Sequence, residues 1–248
     1  MTDPLSNFEE IDCKHHFSSD DLSSDQNKRL CFDPPLYIQR YNYVSGLLFD
    51  FKCKSVMDIG CAECKLIHLL KQTNQNLNLI IGLDLDESVL EKNKSKFSDN
   101  LVDMFHCREN PLDMYLVKVD ISKPDKYFLD KFCSKSCGLD FVSMVEIIEH
   151  MYPETLQDAI ETVFMQLRPK YVLISTPNSE FNVVFGENSN PYDERKIDQK
   201  FRHWDHKFEW TRDEFRKWCK EKILDVYQDY KLYNNSFHGL AISRFNHI

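Results

Sequence analysis

Glu146, Glu149 and His150 stand at i, i+3 and i+4 in the run Val145-Glu146-Ile147-Ile148-Glu149-His150, and a second imidazole follows in Asp205-His206-Lys207-Phe208-Glu209-Trp210. If the first run turns helical after Glu146, that spacing puts two carboxylates and one imidazole on one face. His206 could close the set. Two carboxylates and two imidazoles, with coordination positions left over, suit a borderline-to-hard divalent cation such as Mg2+, Mn2+ or Co2+. Taken singly, each residue has a structural reading: a carboxylate favoured at a helix start, or a histidine satisfied in the core or on the surface. The four together point to a metal.

Positioning such a set is the work of the elements around it. The residues before Glu146 read as a buried strand, so the ligands sit at a strand's carboxyl end, where open α/β sheets carry their chemistry. An amphipathic helix is expected over Leu36 to Phe51, after the stiff Pro34-Pro35. Strands are expected at Ser55 to Ile59, Leu77 to Leu83, Tyr115 to Val119, Leu139 to Val145 and Tyr171 to Ser175. Helices alternate with them at Glu63 to Gln72, Glu87 to Phe97, Pro124 to Phe132 and Pro153 to Leu167. That alternation predicts a parallel sheet covered on both faces. Pro177 to His206 is a long polar connection, of a length usually functional or disordered. Thr211 and Glu214 form a capping box opening a helix to about Lys222, and strands at Ile223 to Leu232 and Gly239 to Phe245 finish the chain. The expected class is α/β, a mostly parallel, doubly wound, seven-stranded sheet.

Bulk properties narrow the function. The chain has 248 residues, enough for one sizeable domain, expected over 31–248. Residues 1–30 lack apolar periodicity and are expected to be disordered. No run of eighteen apolar residues exists and the amino terminus is acidic, which points to a cytoplasmic protein without a membrane span. Nine scattered cysteines read as reduced thiols; Cys61 with Cys64 and Cys133 with Cys137 lie too far apart, without matching histidines, for structural zinc. A net charge of −9 argues against broad phosphate-based nucleic-acid binding, though not against a local grip. Arg195, Lys196, Lys200, Arg202 and Lys207, around His203 and His206, could provide one, or could be a solvated loop.

A cofactor signal lies in the first strands. Asp58-Ile59-Gly60-Cys61-Ala62-Glu63 ends the first, and Gly82-Leu83-Asp84 ends the second. A glycine turn admits close backbone approach, and an acidic residue ending the second strand can accept both hydroxyls of a ribose. Dinucleotides and S-adenosylmethionine both use this layout. Pyrophosphate calls for G-x-G-x-x-G, but Ala62 and Cys64 stand where further glycines belong. One glycine suffices for S-adenosylmethionine, which has no phosphate. Asp58 would then lie near its ammonium, Asp84 at its ribose and Asp120, ending the third strand, at its adenine. Each aspartate alone could equally be a cap or turn residue.

With both sites placed, the chain resembles the small-RNA 3′-terminal 2′-O-methyltransferase family in its short animal form, which modifies Piwi-class guide RNAs. The matching residues are Pro34-Pro35-Leu36-Tyr37-Ile38-Gln39-Arg40-Tyr41, Asp58-Ile59-Gly60-Cys61, Glu146-Ile147-Ile148-Glu149-His150, Ser175-Thr176-Pro177-Asn178-Ser179-Glu180-Phe181-Asn182 and Asp205-His206-Lys207-Phe208-Glu209-Trp210-Thr211. The resemblance implies a class I S-adenosylmethionine-dependent methyltransferase fold. It also implies that Glu146, Glu149, His150 and His206 hold Mg2+ or a related ion, which takes the 2′ and 3′ hydroxyls of a terminal ribose. His150 or a neighbour would accept the proton. Only a terminal ribose presents vicinal hydroxyls, so the expected substrate is the free 3′ end of a single-stranded small RNA, with an Argonaute or Piwi protein as the expected partner presenting it to a monomeric enzyme. Arg40 and the basic run up to Lys207 would meet terminal phosphates. Two departures stand out: the family's usual G-C-G reads Gly60-Cys61-Ala62, and the loop from Gly186 to Arg202 is longer than the family's. The competing expectations are a class I methyltransferase of a small molecule or protein, and an inactive binding module on the same fold.

Overall fold

Ser55–Ile59, sequence SVMDI, is buried at every position, the mark of a strand covered on both faces. It is β1, near the middle of a seven-stranded sheet in the computed structural model. The structure describes residues 32–97, 108, 111–133, 138–185, 201, 203–236 and 239–244. All lie within the unit Cys31–Ile248; residues 1–30, expected to be disordered, are outside the described residues, as is the loop 186–200. The other strands are β2 (Leu79–Asp84), β3 (Asp113–Lys118), β4 (Phe141–Val145), β5 (Tyr171–Ser175), β6 (Tyr230–Ser236) and β7 (Gly239–Arg244). Their order is β3-β2-β1-β4-β5-β7-β6. Pairings from β3 through β5 are parallel, whereas β7 runs antiparallel between β5 and β6.

Alternation along each strand divides the core in two. Met57, Ile59, Ile81, Leu83, Val142 and Met144 face one side, and Val56, Ile80, Phe141 and Leu173 the other. Helices α1 (Leu36–Asp50) and α2 (Lys65–Thr73) cover the second side through Leu47, Leu48, Ile67 and Leu70. Helices α4 (Lys126–Phe132) and α5 (Pro153–Glu161) cover the first through Phe128, Phe132 and Ile160. Between them in sequence, α3 (Glu87–Asn93) starts at Asp86, whose Oδ1 accepts from the Ser88 and Val89 backbone N–H groups. The last helix, α6 (Arg212–Cys219), opens on the expected capping box of Thr211 and Glu214.

One expected strand is displaced. Ile223 lies in a wide helical turn, Lys220–Leu224, that continues α6, and β6 begins only at Tyr230. Ile223, Tyr227 and Tyr230 are all buried, and the Tyr227 N–H donates to the Ile223 carbonyl at 2.7 Å. Apolar positions three and four apart belong to a helix face, not to a strand. The connection after β5 also carries structure, since Ser179–Phe185 forms a 3-10 helix and Asn178 bridges Trp210 in parallel.

Candidate active site

The expected metal and cofactor residues lie at one end of the sheet. Asp58, Asp84, Asp120 and Glu146 stand at or just beyond the carboxyl ends of β1 to β4, and Ser175 and Thr176 at the end of β5. Sequence reaches this end of the molecule twice more, in the 3-10 turn Ile148–His150 and in the segment 203–210. The helical turn begins only at Ile148, so it carries Glu149 and His150 while Glu146 lies before it and does not share its face.

The loop after β1 is built for close approach. Gly60 has φ +77°, and Ala62 and Cys64 also lie in the left-handed region at 43° and 58°. A Cβ on Gly60 would stand 2.7 Å from both Cγ1 and Cδ1 of Ile147, so the glycine is required by its neighbour as well as by its backbone. Ile147 belongs to the acidic run after β4. The two candidate sites therefore touch.

Asp84 fastens this loop from β2: its Oδ2 accepts from the Ala62 N–H at 2.8 Å and its Oδ1 from the Asp86 N–H at 2.9 Å. Each carboxylate oxygen has a second lone pair for a ribose hydroxyl. Asp58 lies opposite Ser143 in the register of β1 and β4 and accepts its hydroxyl at 2.7 Å. Burial, and then the Asp84 charge, push the Asp58 carboxyl up to about 7, although the Ser143 hydrogen bond opposes them. A cation beside it, such as an ammonium, would restore the charged form. Asp120 is built into a turn, its Oδ1 accepting from the N–H and hydroxyl of Ser122 at 3.0 and 2.6 Å. Cys61 and Cys64 are buried with sulfurs 3.9 Å apart.

Glu146 also has positive φ, 53°. Its N–H reaches the Ser175 carbonyl, its Oε1 accepts from the Ser175 hydroxyl at 3.1 Å, and its Oε2 lies 3.1 Å from Arg40 Nη2. Arg40, expected at terminal phosphates, is thus engaged by a carboxylate of the site. Glu149 is buried and accepts from the Thr176 hydroxyl at 3.2 Å. Its carboxyl is held well above the usual carboxylate range by burial and then by the Glu146 charge. The Arg40 guanidinium on Glu146 and the Thr176 hydroxyl oppose that shift, and a further cation beside the pair would favour its charged form.

The imidazoles form a cluster of their own, and among the described residues neither Glu146 nor Glu149 lies within ligand reach of it. His150 Nδ1 lies 3.0 Å from Asp205 Oδ2, and His206 Nδ1 lies 2.6 Å from Glu209 Oε1. Asp205 is further held by Lys207 Nζ at 2.9 Å, and Glu209 by Asn182 Nδ2 at 2.5 Å. A carboxylate on Nδ1 fixes the ring and leaves the Nε2 lone pair for a ligand, the usual support of a metal-binding histidine. Burial holds His206 below the ordinary imidazole pKa in spite of Glu209, so it is neutral near pH 7. Backbone geometry locks the two segments together, with the Lys207 N–H donating to the Glu149 carbonyl at 2.7 Å. Nitrogen atoms of His150, His206 and His203 lie within 4.8 Å of one another. The glutamates are turned toward Ser175, Thr176 and Arg40. Of the expected basic run, Arg195, Lys196, Lys200 and Arg202 lie outside the described residues.

Sequence reasoning missed the supporting partners. Asp205 and Glu209 stand beside and three residues beyond His206 in the same string, which was the available signal. Nothing in the sequence marked the contact of Gly60 with Ile147.

Among known proteins, the chain is 35% identical over 190 residues to a small RNA 2′-O-methyltransferase of Xenopus tropicalis, covering 77% of this chain and 46% of that one. It is 32% identical over 233 residues to the Drosophila melanogaster small RNA 2′-O-methyltransferase, covering 92% and 54%. The chain thus spans about half the length of these curated relatives. No protein-family profile matches it. Among solved structures, the small RNA methyltransferase HEN1 superposes with a TM-score of 0.65 at 26% identity, over 90% of this chain and 28% of that one. The methyltransferase domain of bacterial CtHen1-C superposes with a TM-score of 0.59 at 27% identity, over 84% and 98%. The sheet is accordingly that of a class I methyltransferase. Among the described residues no helix is long and apolar enough to cross a membrane.

Proposed function

Over the portion of its relatives that it spans, the chain belongs to the small RNA 2′-O-methyltransferase family, and from that membership we propose that it is an enzyme methylating the 2′-hydroxyl of the 3′-terminal ribose of single-stranded small RNA. S-adenosylmethionine is the methyl donor, and Glu146, Glu149, His150 and His206 would hold Mg2+, Mn2+ or Co2+. The observation that carries this reading is the pair of imidazoles, His150 and His206, each tied through Nδ1 to a carboxylate, with His150 three residues beyond the Ile147 that meets the Gly60 turn. The two adjacent hydroxyls of a terminal ribose offer a reason for that constellation.

When bound, the divalent ion lowers the pKa of a hydroxyl it touches and orients it, and S-adenosylmethionine supplies an electrophilic methyl carbon on sulfur. The protein's own part is placement. Asp205 and Glu209 hold the two rings, Ser175 and Thr176 hold the two glutamates, and Arg40 tempers the charge between them. Asp58 answers the ammonium of the methyl donor and Asp84 its ribose, while Asp120 is assigned to the adenine. The 2′ oxygen of the RNA would take the methyl carbon, the carbon–sulfur electron pair leaving on the sulfur of S-adenosylhomocysteine; the hydroxyl proton would pass to solvent, since His150 can accept it only through an Nε2 that is not on the ion. Vicinal hydroxyls exist only on a terminal ribose, which accounts for selection of a free 3′ end and for its protection after transfer.

In the cell we place this activity in the cytoplasm, in a monomer whose domain is 31–248, on guide RNAs presented by an Argonaute or Piwi protein. The free cysteines Cys53, Cys61, Cys64, Cys133 and Cys219 suit a reducing compartment. The test is transfer of labelled methyl groups to single-stranded RNAs ending in 3′-hydroxyl or 3′-phosphate, with and without EDTA. Transfer confined to the 3′-hydroxyl RNA and abolished by EDTA is the expected result. Equal transfer to both RNAs, or transfer that survives EDTA, would remove the metal-chelation account.

A further inference from the structure

His203 differs from the other two imidazoles of its cluster in the direction of one hydrogen bond. In His150 and His206 the Nδ1 atom faces a carboxylate oxygen, which only accepts, so Nδ1 carries the hydrogen and Nε2 the lone pair. In His203 the Nδ1 atom lies 3.3 Å from the backbone N of Asp205, which only donates. That Nδ1 therefore holds the lone pair, and the hydrogen is on Nε2. The three rings lie close enough to share a ligand, yet only two of them present a free lone pair to it.

The backbone keeps His203 in this state. The His206 N–H donates to the His203 carbonyl at 3.2 Å, closing a turn over 203–206 that aims the exposed imidazole at the cluster. The ring centroids of His203 and His150 are 5.9 Å apart, and those of His203 and His206 5.3 Å. Trp204, 60% exposed, lies beside it with centroids 5.6 Å apart. An N–H donor at the edge of a cation site, next to an open indole face, suits a ligand carrying both an oxygen acceptor and a planar ring.

We infer that His203 is a substrate-binding residue and not a third metal ligand: its Nε2–H donates to an oxygen of the RNA's terminal nucleotide as that nucleotide enters the site. This inference rests on the RNA reading above. The oxygen belongs either to the last phosphodiester or to the 3′-hydroxyl; each can accept the Nε2–H hydrogen bond.

The experiment uses the full chain. Mn2+ binding is followed by calorimetry, and binding of a labelled single-stranded RNA by fluorescence anisotropy in Mn2+ and S-adenosylhomocysteine, for the wild type, His203→Phe, His203→Gln and His206→Ala. His203→Phe should weaken RNA binding about tenfold, the loss of one hydrogen bond to a polar or charged acceptor, and leave Mn2+ affinity unchanged. His203→Gln, whose amide N–H reaches the position of Nε2, should restore most of the RNA affinity. RNAs with a methylphosphonate last linkage or a 3′-deoxy terminus separate the two oxygens, because the true partner's replacement will no longer respond to His203→Phe. Mn2+ affinity lost in His203→Phe as in His206→Ala, or RNA affinity unmoved by His203→Phe, would overturn the inference. Methyl transfer by the wild type is scored separately: without it the RNA reading fails, and with it an inert His203→Phe sinks only the present inference.

Discussion

Glu209 Oε1 lies 2.6 Å from His206 Nδ1, and neither side chain sees much solvent, at 1% and 6% exposed. A buried carboxylate that close sets the tautomer and the angle of the ring, and so determines where Nε2 points. Its second oxygen is held at 2.5 Å by the Asn182 amide.

Glu209→Gln should therefore weaken Mn2+ binding about 10- to 100-fold, the usual cost of losing a histidine's carboxylate support. The Asn182 amide can turn to meet the new side chain, because its Oδ1 has no hydrogen-bond partner at present. Calorimetric titration, with circular dichroism to show that the fold persists, decides the point; unchanged affinity would mean that His206 binds no metal.

Gly60→Ala should damage both halves of the site. The left-handed backbone costs an alanine about 1–2 kcal/mol, and its Cβ would press on Ile147 at 2.7 Å. Adding Ile147→Ala clears the space but leaves the backbone cost. We expect the single variant to lose both S-adenosylhomocysteine and Mn2+ affinity, and the double variant to recover Mn2+ more than the nucleoside, as measured by titration. Independent responses of the two ligands would show that the loops are not coupled.

The buried Asp58 gives the ligand-free chain a pH dependence of known sign. Its folded pKa is raised, to about 7, so its contribution to stability is present below the ordinary carboxylate range and is lost as pH rises through 7. The shift corresponds to about 4 kcal/mol. Asp58→Asn keeps an acceptor for Ser143 and removes the charge. Its melting temperature should exceed that of the wild type at pH 8 and approach it at pH 5; parallel melting curves across that range would contradict the assignment.

Arg40 acts as an internal counter-charge for Glu146. Arg40→Ala removes it and pushes the Glu149 carboxyl higher still, because the guanidinium now lowers it. The variant should melt a few degrees below the wild type in EDTA, at roughly 2–4 °C per kcal/mol, and regain most of the difference in Mn2+. A deficit that Mn2+ leaves untouched would assign Arg40 a packing role alone.

Much of this arrangement was legible in the residues. Continuous apolar runs marked β1 and β5 to the residue, and the acidic strand ends at Asp58 and Asp84 marked one end of the sheet. Glu149 and His150 sit on a helical turn, whereas Glu146 stands before it with positive φ, which the spacing alone did not reveal. What escaped was long-range. Arg40 and Glu146 are 106 positions apart, and only the packing of α1 on the sheet brings them together. Ile223 was misread because a short apolar segment does not declare its period; burial of Tyr227 one turn later decided it. His203 looked like part of a basic loop until its hydrogen bond to the Asp205 backbone gave its tautomer.

The 2.7 Å hydrogen bond from the Lys207 amide to the Glu149 carbonyl ties two stretches of chain that translation delivers far apart. Until both have emerged and docked, only one imidazole of the pair faces the sheet. On the metal reading proposed above, capture of the ion would wait on the docking of these two stretches.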